Sequence, residues 1–179
     1  MPKEKIVSSK RVFSGRAVSL RVDTVELPSG RQTTREIVEH DECIVAIPID
    51  EKGNVLLVSQ FRHPIGKKLL ELPAGGIEEN ETPEDAVRRE LQEEIGYLPN
   101  KVEALGGFYS SPGFCTEYLY LYIATDLTPS RLVASDTEEI KVVRIPLAQV
   151  SHLIASGEIC DSKSIAGLLR YLKEKDTTP

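Results

Sequence analysis

Glu71-Leu72-Pro73-Ala74-Gly75-Gly76-Ile77-Glu78-Glu79-Asn80-Glu81-Thr82-Pro83-Glu84-Asp85-Ala86-Val87-Arg88-Arg89-Glu90-Leu91-Gln92-Glu93-Glu94-Ile95-Gly96-Tyr97 is the stretch on which the reading of this chain turns. It divides into a glycine-bearing loop, a helix and a stop. Thr82 suits the N-cap, Pro83 the first helical position where no amide donor is needed, and Asp85 completes a capping-box pattern. Gly96 suits a left-handed C-terminal cap. Val87, Leu91 and Ile95 recur at helical spacing and predict an apolar face docked on a core.

At ~100° per residue, Glu90, Glu93 and Glu94 fall within one arc beside that apolar stripe. Like charges at these spacings repel, and Arg89 lies too far round to neutralise all three. A cation is therefore expected there. Oxygen-only ligands suit Mg²⁺ or Mn²⁺, hard ions that retain waters and bridge to substrate phosphates. The competing meaning is a solvated acidic helix face, the ordinary sense of a charge run. Ala74, Gly75 and Gly76 leave the backbone uncovered, so the Ala74 carbonyl can approach a metal; a tight turn is the plainer sense of a glycine pair.

The chain has 179 residues, 40% of them hydrophobic, which suits one domain with an ordinary core. A net charge of −6 argues against non-specific nucleic-acid or anionic-membrane binding. Cys43, Cys115 and Cys160 are too few and too far apart for a disulfide framework or a zinc site, so each is expected to be a small buried apolar residue in a reducing compartment. The N-terminus has no apolar signal region and no run is long enough to span a bilayer, so a cytoplasmic protein is expected.

Residues 11–27 alternate loosely, Pro28-Ser29-Gly30 makes a turn, and Thr33 to Glu39 returns, an antiparallel β-hairpin signal. Such a hairpin either packs on its own domain or reaches a second subunit. Residues 1–40 are read as this hairpin region and 41–179 as the main domain. Cys43 to Ile49 and Val55 to Phe61 are buried-strand runs, and Leu69 to Pro73 leads into the glycine loop. Arg62 suits either a phosphate or a surface carboxylate. Val102 to Tyr109, Tyr118 to Thr125 and Ile140 to Ile145 are further strands. The alternating Tyr118, Tyr120 and Tyr122 suit core packing or, less simply, cofactor stacking. Ser135-Asp136-Thr137-Glu138-Glu139 is an acidic loop that can carry a general base or be a surface turn. A helix from Leu147 stops at Gly157, and Ser162 caps a last helix with a stripe of Ile165, Leu168, Leu169 and Leu172. Strands around one central helix, with helices at the end, fit an α/β fold with a mixed sheet covered on both faces.

Gly75, Glu81, Arg89-Glu90, Glu93-Glu94 and Gly96 together resemble the signature of the Nudix hydrolases, with Tyr97 departing from the aliphatic residue more common there. Glu71 to Gly76, Arg35-Glu36, Gln60-Phe61-Arg62 and Ser111-Pro112-Gly113 with Glu117 are similar to the ADP-ribose pyrophosphatase branch. The resemblance implies an α/β/α sandwich, a homodimer whose N-terminal strands help build the partner's adenosine site, and hydrolysis of ADP-ribose to AMP and ribose 5-phosphate with two or more Mg²⁺ (or Mn²⁺) ions. It implies Glu90 and Glu94 as the main metal ligands, with Glu93, the Ala74 carbonyl and Glu138 contributing, and Arg89 and Glu81 orienting them. Arg62 would hold the pyrophosphate. Arg35, Glu36, Gly76, Ser111, Pro112, Gly113 and Glu117 would surround the substrate, and Arg16 would stack on adenine in place of an aromatic residue. The base would come from the acidic loop: Glu138, with Asp136 and Glu139 as rivals. Another nucleoside diphosphate sugar, such as GDP-mannose, is the neighbouring reading of the substrate. A non-catalytic ADP-ribose sensor is the reading from another class, and the complete glutamate set weighs against it.

Overall fold

The structure is a computed structural model and describes residues 4–134 and 139–177. The chain divides into two compact units, residues 1–42 with 109–118, and residues 43–108 with 119–179.

In the first unit, β1 (Lys5–Ser14), β2 (Ser19–Glu26) and β3 (Gln32–Glu39) form an antiparallel sheet in that order. The expected hairpin is β2–β3, turning at Gly30, whose φ of +81° favours glycine. The single run read over residues 11–27 is instead broken at Gly15, where the amide donates to the Val18 carbonyl at 2.9 Å and the chain before it folds back as β1. Loose alternation continued across that turn and concealed it. The segment around Phe114 lies along β3, with Val38 donating to the Phe114 carbonyl at 2.7 Å and Thr116 donating to the Val38 carbonyl at 3.0 Å.

The second unit holds β4 (Cys43–Pro48), β5 (Asn54–Arg62), β6 (Lys67–Glu71), β7 (Ala74–Gly76), α1 (Pro83–Glu94), β8 (Tyr97–Tyr109), β9 (Tyr118–Pro129), β10 (Lys141–Pro146), α2 (Leu147–Ser156) and α3 (Ser162–Thr177). One sheet has the order β10-β5-β6. The other is mixed, β7-β4-β9-β8, with β4 antiparallel to β7 and parallel to β9. Every residue of β4 is buried, and its alternating side chains feed two different cores. Ile44 and Ala46 join Ala86, Val87, Leu91 and Ile95 of the α1 side, whereas Cys43, Val45 and Ile47 join Val150 of α2 and Leu168 of α3. Helices on both faces of a mixed sheet give the α/β/α arrangement expected. The tyrosine row resolves in favour of packing, since Tyr120 and Tyr122 belong to the α1 core and Leu119, Leu121 and Ile123 to the other.

The helix signals hold for α1: the Thr82 hydroxyl accepts from the Asp85 amide at 3.2 Å and donates to the Asp85 carboxylate at 2.6 Å. Gly96 is left-handed, as is Gly157 after α2. At α3 the cap is Asp161 rather than Ser162. Its carboxylate accepts from the Ser164 amide at 3.0 Å, so Ser162 is already helical. Leu169 leaves the predicted stripe, being 47% exposed, while Ser164, Gly167 and Leu168 face inward. The approach is close, for a Cβ on Gly167 would lie 3.0 Å from both Leu72 and Leu121. Of the cysteines, all free, Cys43 is buried as expected but Cys160 is exposed. No described helix is long and apolar enough to cross a membrane.

The α3 register has a direct test. Leu168→Ala should lower unfolding free energy by about 2–5 kcal/mol, and Leu169→Ala by about 0.5 kcal/mol or less, in urea titrations. Equal losses would contradict this register.

Candidate active site

The carboxylates of α1 come to lie against β7 because Val87 and Leu91 pin the helix to the β4 core. Glu90 and Glu94 follow these anchors around the helix and are only 9% and 7% exposed. Gly75 makes room for the first: a Cβ at Gly75 would fall 2.0 Å from the Glu90 Oε1. Neither Gly75 nor Gly76 has positive φ, and both pair with β4 in a short strand, so no tight turn accounts for them; close approach explains Gly75, whereas a Cβ on Gly76 would meet open space. Glu94 accepts from the Ala74 amide at 3.2 Å. Ala74, Gly75, Glu90 and Glu94 thus meet at one place.

Arg89 organises the cluster without filling it. Its Nε and Nη2 donate to the two Glu81 oxygens at 2.8 Å each, its Nη1 to Glu90 at 2.7 Å and Glu93 at 3.4 Å, and its Nη2 also to the Gly76 carbonyl at 2.8 Å. The Glu81 hydrogen bonds come first among the causes that hold the guanidinium charged, and the same bonds hold Glu81 below the usual carboxylate range. Glu94 is different. Among the described residues no cationic side chain lies within ion-pair distance of it, and burial followed by repulsion from Glu90 pushes its carboxyl up to about 8. Burial also raises Glu90, with Arg89 opposing. A deep all-oxygen donor set short of positive charge fits a hard divalent cation, with Glu90, Glu93, Glu94 and the Ala74 carbonyl as the groups that would hold it.

Arg62 meets a carboxylate, but a buried one. Its guanidinium takes both oxygens of Glu71, 1% exposed, where Lys163 also donates at 2.6 Å. Burial pushes Glu71 up, and Arg62 and Lys163 more than reverse this, so it stays ionised. Lys163 further bridges to Asp161 at 2.8 Å, and the Ser164 hydroxyl donates to Asp161 at 2.6 Å while accepting from the Leu72 amide at 2.7 Å. Sequence reasoning assigned no role to Glu71, Lys163 or Ser164. The available signal was an isolated acid between the apolar strand and Pro73.

The expected substrate-binding residues Arg16, Arg35, Glu36, Ser111, Pro112, Gly113 and Glu117 lie in the first unit. Arg35, Glu36 and Gly113 line a cavity of about 530 Å³ with Val38 and Phe114, and Arg35 pairs with Glu4. Arg16 lines a separate cavity of about 410 Å³ with Arg11, Glu39 and His40. Ser111 accepts at its carbonyl from the Phe114 and Cys115 amides, Pro112 is exposed beside it, and Glu117 lies 3.8 Å from His40. Glu138 and Asp136 lie outside the described residues; Glu139 is an exposed turn residue.

Helical carboxylates floored by glycine, braced by an arginine and short of positive charge can hold a divalent cation against a phosphate-bearing substrate. The chain belongs to the Nudix family, matching the NUDIX domain over residues 39–167; residues 4–38 match the Nucleoside diphosphate sugar hydrolase N-terminal domain. Nudix hydrolases use divalent metal ions. It is 34% identical to the ADP-ribose pyrophosphatase of Bacillus subtilis (strain 168) over 97% of this chain and 94% of that one. It is 37% identical to the methanol dehydrogenase activator of Bacillus methanolicus over 95% of this chain and 92% of that one. Among solved structures, an ADP compounds hydrolase superposes with a TM-score of 0.89 at 22% identity, covering 96% and 93% of the two chains, which bears on the fold alone.

Two outcomes follow from this geometry. Gly75→Ala should fold, because only the end of the Glu90 side chain must move, yet lose most of the thermal stabilisation that added Mg²⁺ confers on the wild type. A carboxyl raised when folded contributes stability below its unfolded value and loses it as pH rises, here between 4.5 and about 8. Metal-free protein should therefore melt progressively lower across that window relative to Glu94→Gln, and a parallel pH profile for the two would contradict the assignment.

Proposed function

We propose that this chain is an ADP-ribose pyrophosphatase, hydrolysing the substrate to AMP and ribose 5-phosphate. The observation that carries this reading is the buried Glu90 and Glu94 pair beneath Ala74 and Gly75, in a chain aligned over nearly its whole length with a relative of that name. When bound, two or more Mg²⁺ or Mn²⁺ ions supply neutralisation of the pyrophosphate and activation of a water. Glu90, Glu93, Glu94 and the Ala74 carbonyl hold them, and Arg89 with Glu81 keeps the carboxylates oriented. Arg62 turns from Glu71 to the pyrophosphate. Arg16, Arg35, Glu36, Gly76, Ser111, Pro112, Gly113 and Glu117 surround the adenosine and ribose groups. Glu138 takes the proton of the attacking water, with Asp136 and Glu139 as its rivals. No covalent enzyme intermediate is needed; positioning and electrostatic stabilisation suffice for phosphoryl transfer.

The same reading makes the protein a cytoplasmic homodimer with no nucleic-acid or membrane partner, in which residues 1–40 are exchanged between subunits and 41–179 form the hydrolase domain. The state of β1 supports it. All ten residues are exposed, with Ile6, Val7, Val12 and Phe13 about half open to solvent on an edge strand.

The test is product chromatography after incubation with Mg²⁺ and a panel of ADP-ribose, GDP-mannose, ADP-glucose, NADH and diadenosine polyphosphates. Release of AMP from ADP-ribose far ahead of the others is expected. Preference for GDP-mannose would keep the mechanism and replace the substrate, and silence with every metal would favour a sensor. Glu94→Gln should lower kcat by about 100-fold or more with folding retained. Glu138→Gln should slow turnover with KM little changed, and a larger effect from Asp136→Asn or Glu139→Gln would move the base. Light scattering should give a dimer; a fully active monomer would contradict the exchanged strands.

A further inference from the structure

We propose that Lys163 and Ser164, on the first turn of α3, are positioning residues for the carboxylate site; this rests on the reading of Glu90, Glu94 and Ala74 as the cation-holding groups. The Glu71–Ala74 turn joins β6 to β7 and carries Ala74 into the site. Each of its residues is tied to a different neighbour. The Glu71 carboxylate receives Lys163 Nζ at 2.6 Å, the Leu72 amide donates to Ser164 Oγ at 2.7 Å, the Pro73 carbonyl accepts from the Ala46 amide at 3.0 Å, and the Ala74 amide donates to Glu94 at 3.2 Å. Two of these four ties come from α3. Both are set rigidly: Ser164 is wholly buried and its hydroxyl is used as donor to Asp161 and acceptor from Leu72, while Lys163 is clamped between Glu71 and Asp161. Gly167, one turn on, lets α3 lie close enough to Leu72 for these bonds to form.

The arrangement also addresses a charge problem. Glu71 is buried and ionised, so it requires a cation at all times. Arg62 supplies one, yet Arg62 is the side chain assigned to the pyrophosphate. Lys163 keeps Glu71 paired whichever group Arg62 engages, and the turn that carries Ala74 is not disturbed when substrate binds.

The test is Mn²⁺ binding to the full chain by electron paramagnetic resonance, without nucleotide, and melting temperature recorded for each variant. Partners behind metal ligands commonly contribute about 10–100-fold to affinity, and Ser164→Ala and Lys163→Gln should each weaken Mn²⁺ binding by about tenfold. Lys163→Arg should recover most of the loss. Val150→Ala, a core truncation in α2 that removes none of these four bonds, should lower the melting temperature without changing Mn²⁺ affinity. In turnover, Lys163→Gln should raise KM for ADP-ribose more than it lowers kcat. Unchanged Mn²⁺ affinity in both α3 variants, or an equal loss in Val150→Ala, would overturn the proposal. If Glu94→Gln bound Mn²⁺ as the wild type does, the cation-site reading itself would fall and the positioning role with it.

Discussion

The contact of Glu90 with the bare backbone at Gly75 is the constraint on which the site depends. A helix carrying three acidic side chains gains nothing by turning them toward a sheet unless the sheet offers space and a counter-charge. Gly75 offers the space and Arg89 part of the charge. Arg89 spends its donors on Glu81, Glu90, Glu93 and the Gly76 carbonyl, which ties the helix to the end of β7 and to the loop ahead of α1. Glu94 lies beyond that fork, and its shortage of positive charge is what a divalent ion would relieve. The structural bracing and the chemical deficit come from the same small group of side chains.

A second acidic centre behaves in the opposite way. Glu71 is as deeply buried as any carboxylate among the described residues, but it is fully compensated by Arg62 and Lys163. Removing one partner of such a pair costs about 3–5 kcal/mol because the other charge is left stranded. Two buried carboxylate centres, one satisfied and one not, stand on either side of the Leu72–Pro73 turn. That difference separates scaffolding from site more clearly than burial alone.

Much of this was legible in the sequence. The period of Val87, Leu91 and Ile95, with Thr82, Pro83 and Gly96, defines α1 because capping and periodicity are local properties. Glu90 and Glu94 follow from the helix angle. What escaped were features that depend on distant partners. Asp161 and Ser162 both satisfy the local rule for a cap, and only the bond to the Ser164 amide decides between them. Leu168 and Leu169 are neighbours that both fit the i, i+3, i+4 spacing from Ile165, and that spacing does not say which of the two meets the sheet. The reason for Gly75 lay in Glu90, across a loop and two turns of helix, and the partners of Glu71 on α3 had no local trace. The turn at Gly15 leaves no local signal, because a weak alternation runs on through it.

β4 is apolar throughout and is completed on one side by β9, which pairs with it in parallel and arrives only after α1 and β8. A parallel partner so far along the chain means a long loop must close before the central strand is covered, and such closures slow folding. During synthesis, β4 therefore emerges well before the strand that shields it. The interval between the two is when the nascent polypeptide is most open to self-association, and a ribosome paused ahead of Tyr118 would hold it there.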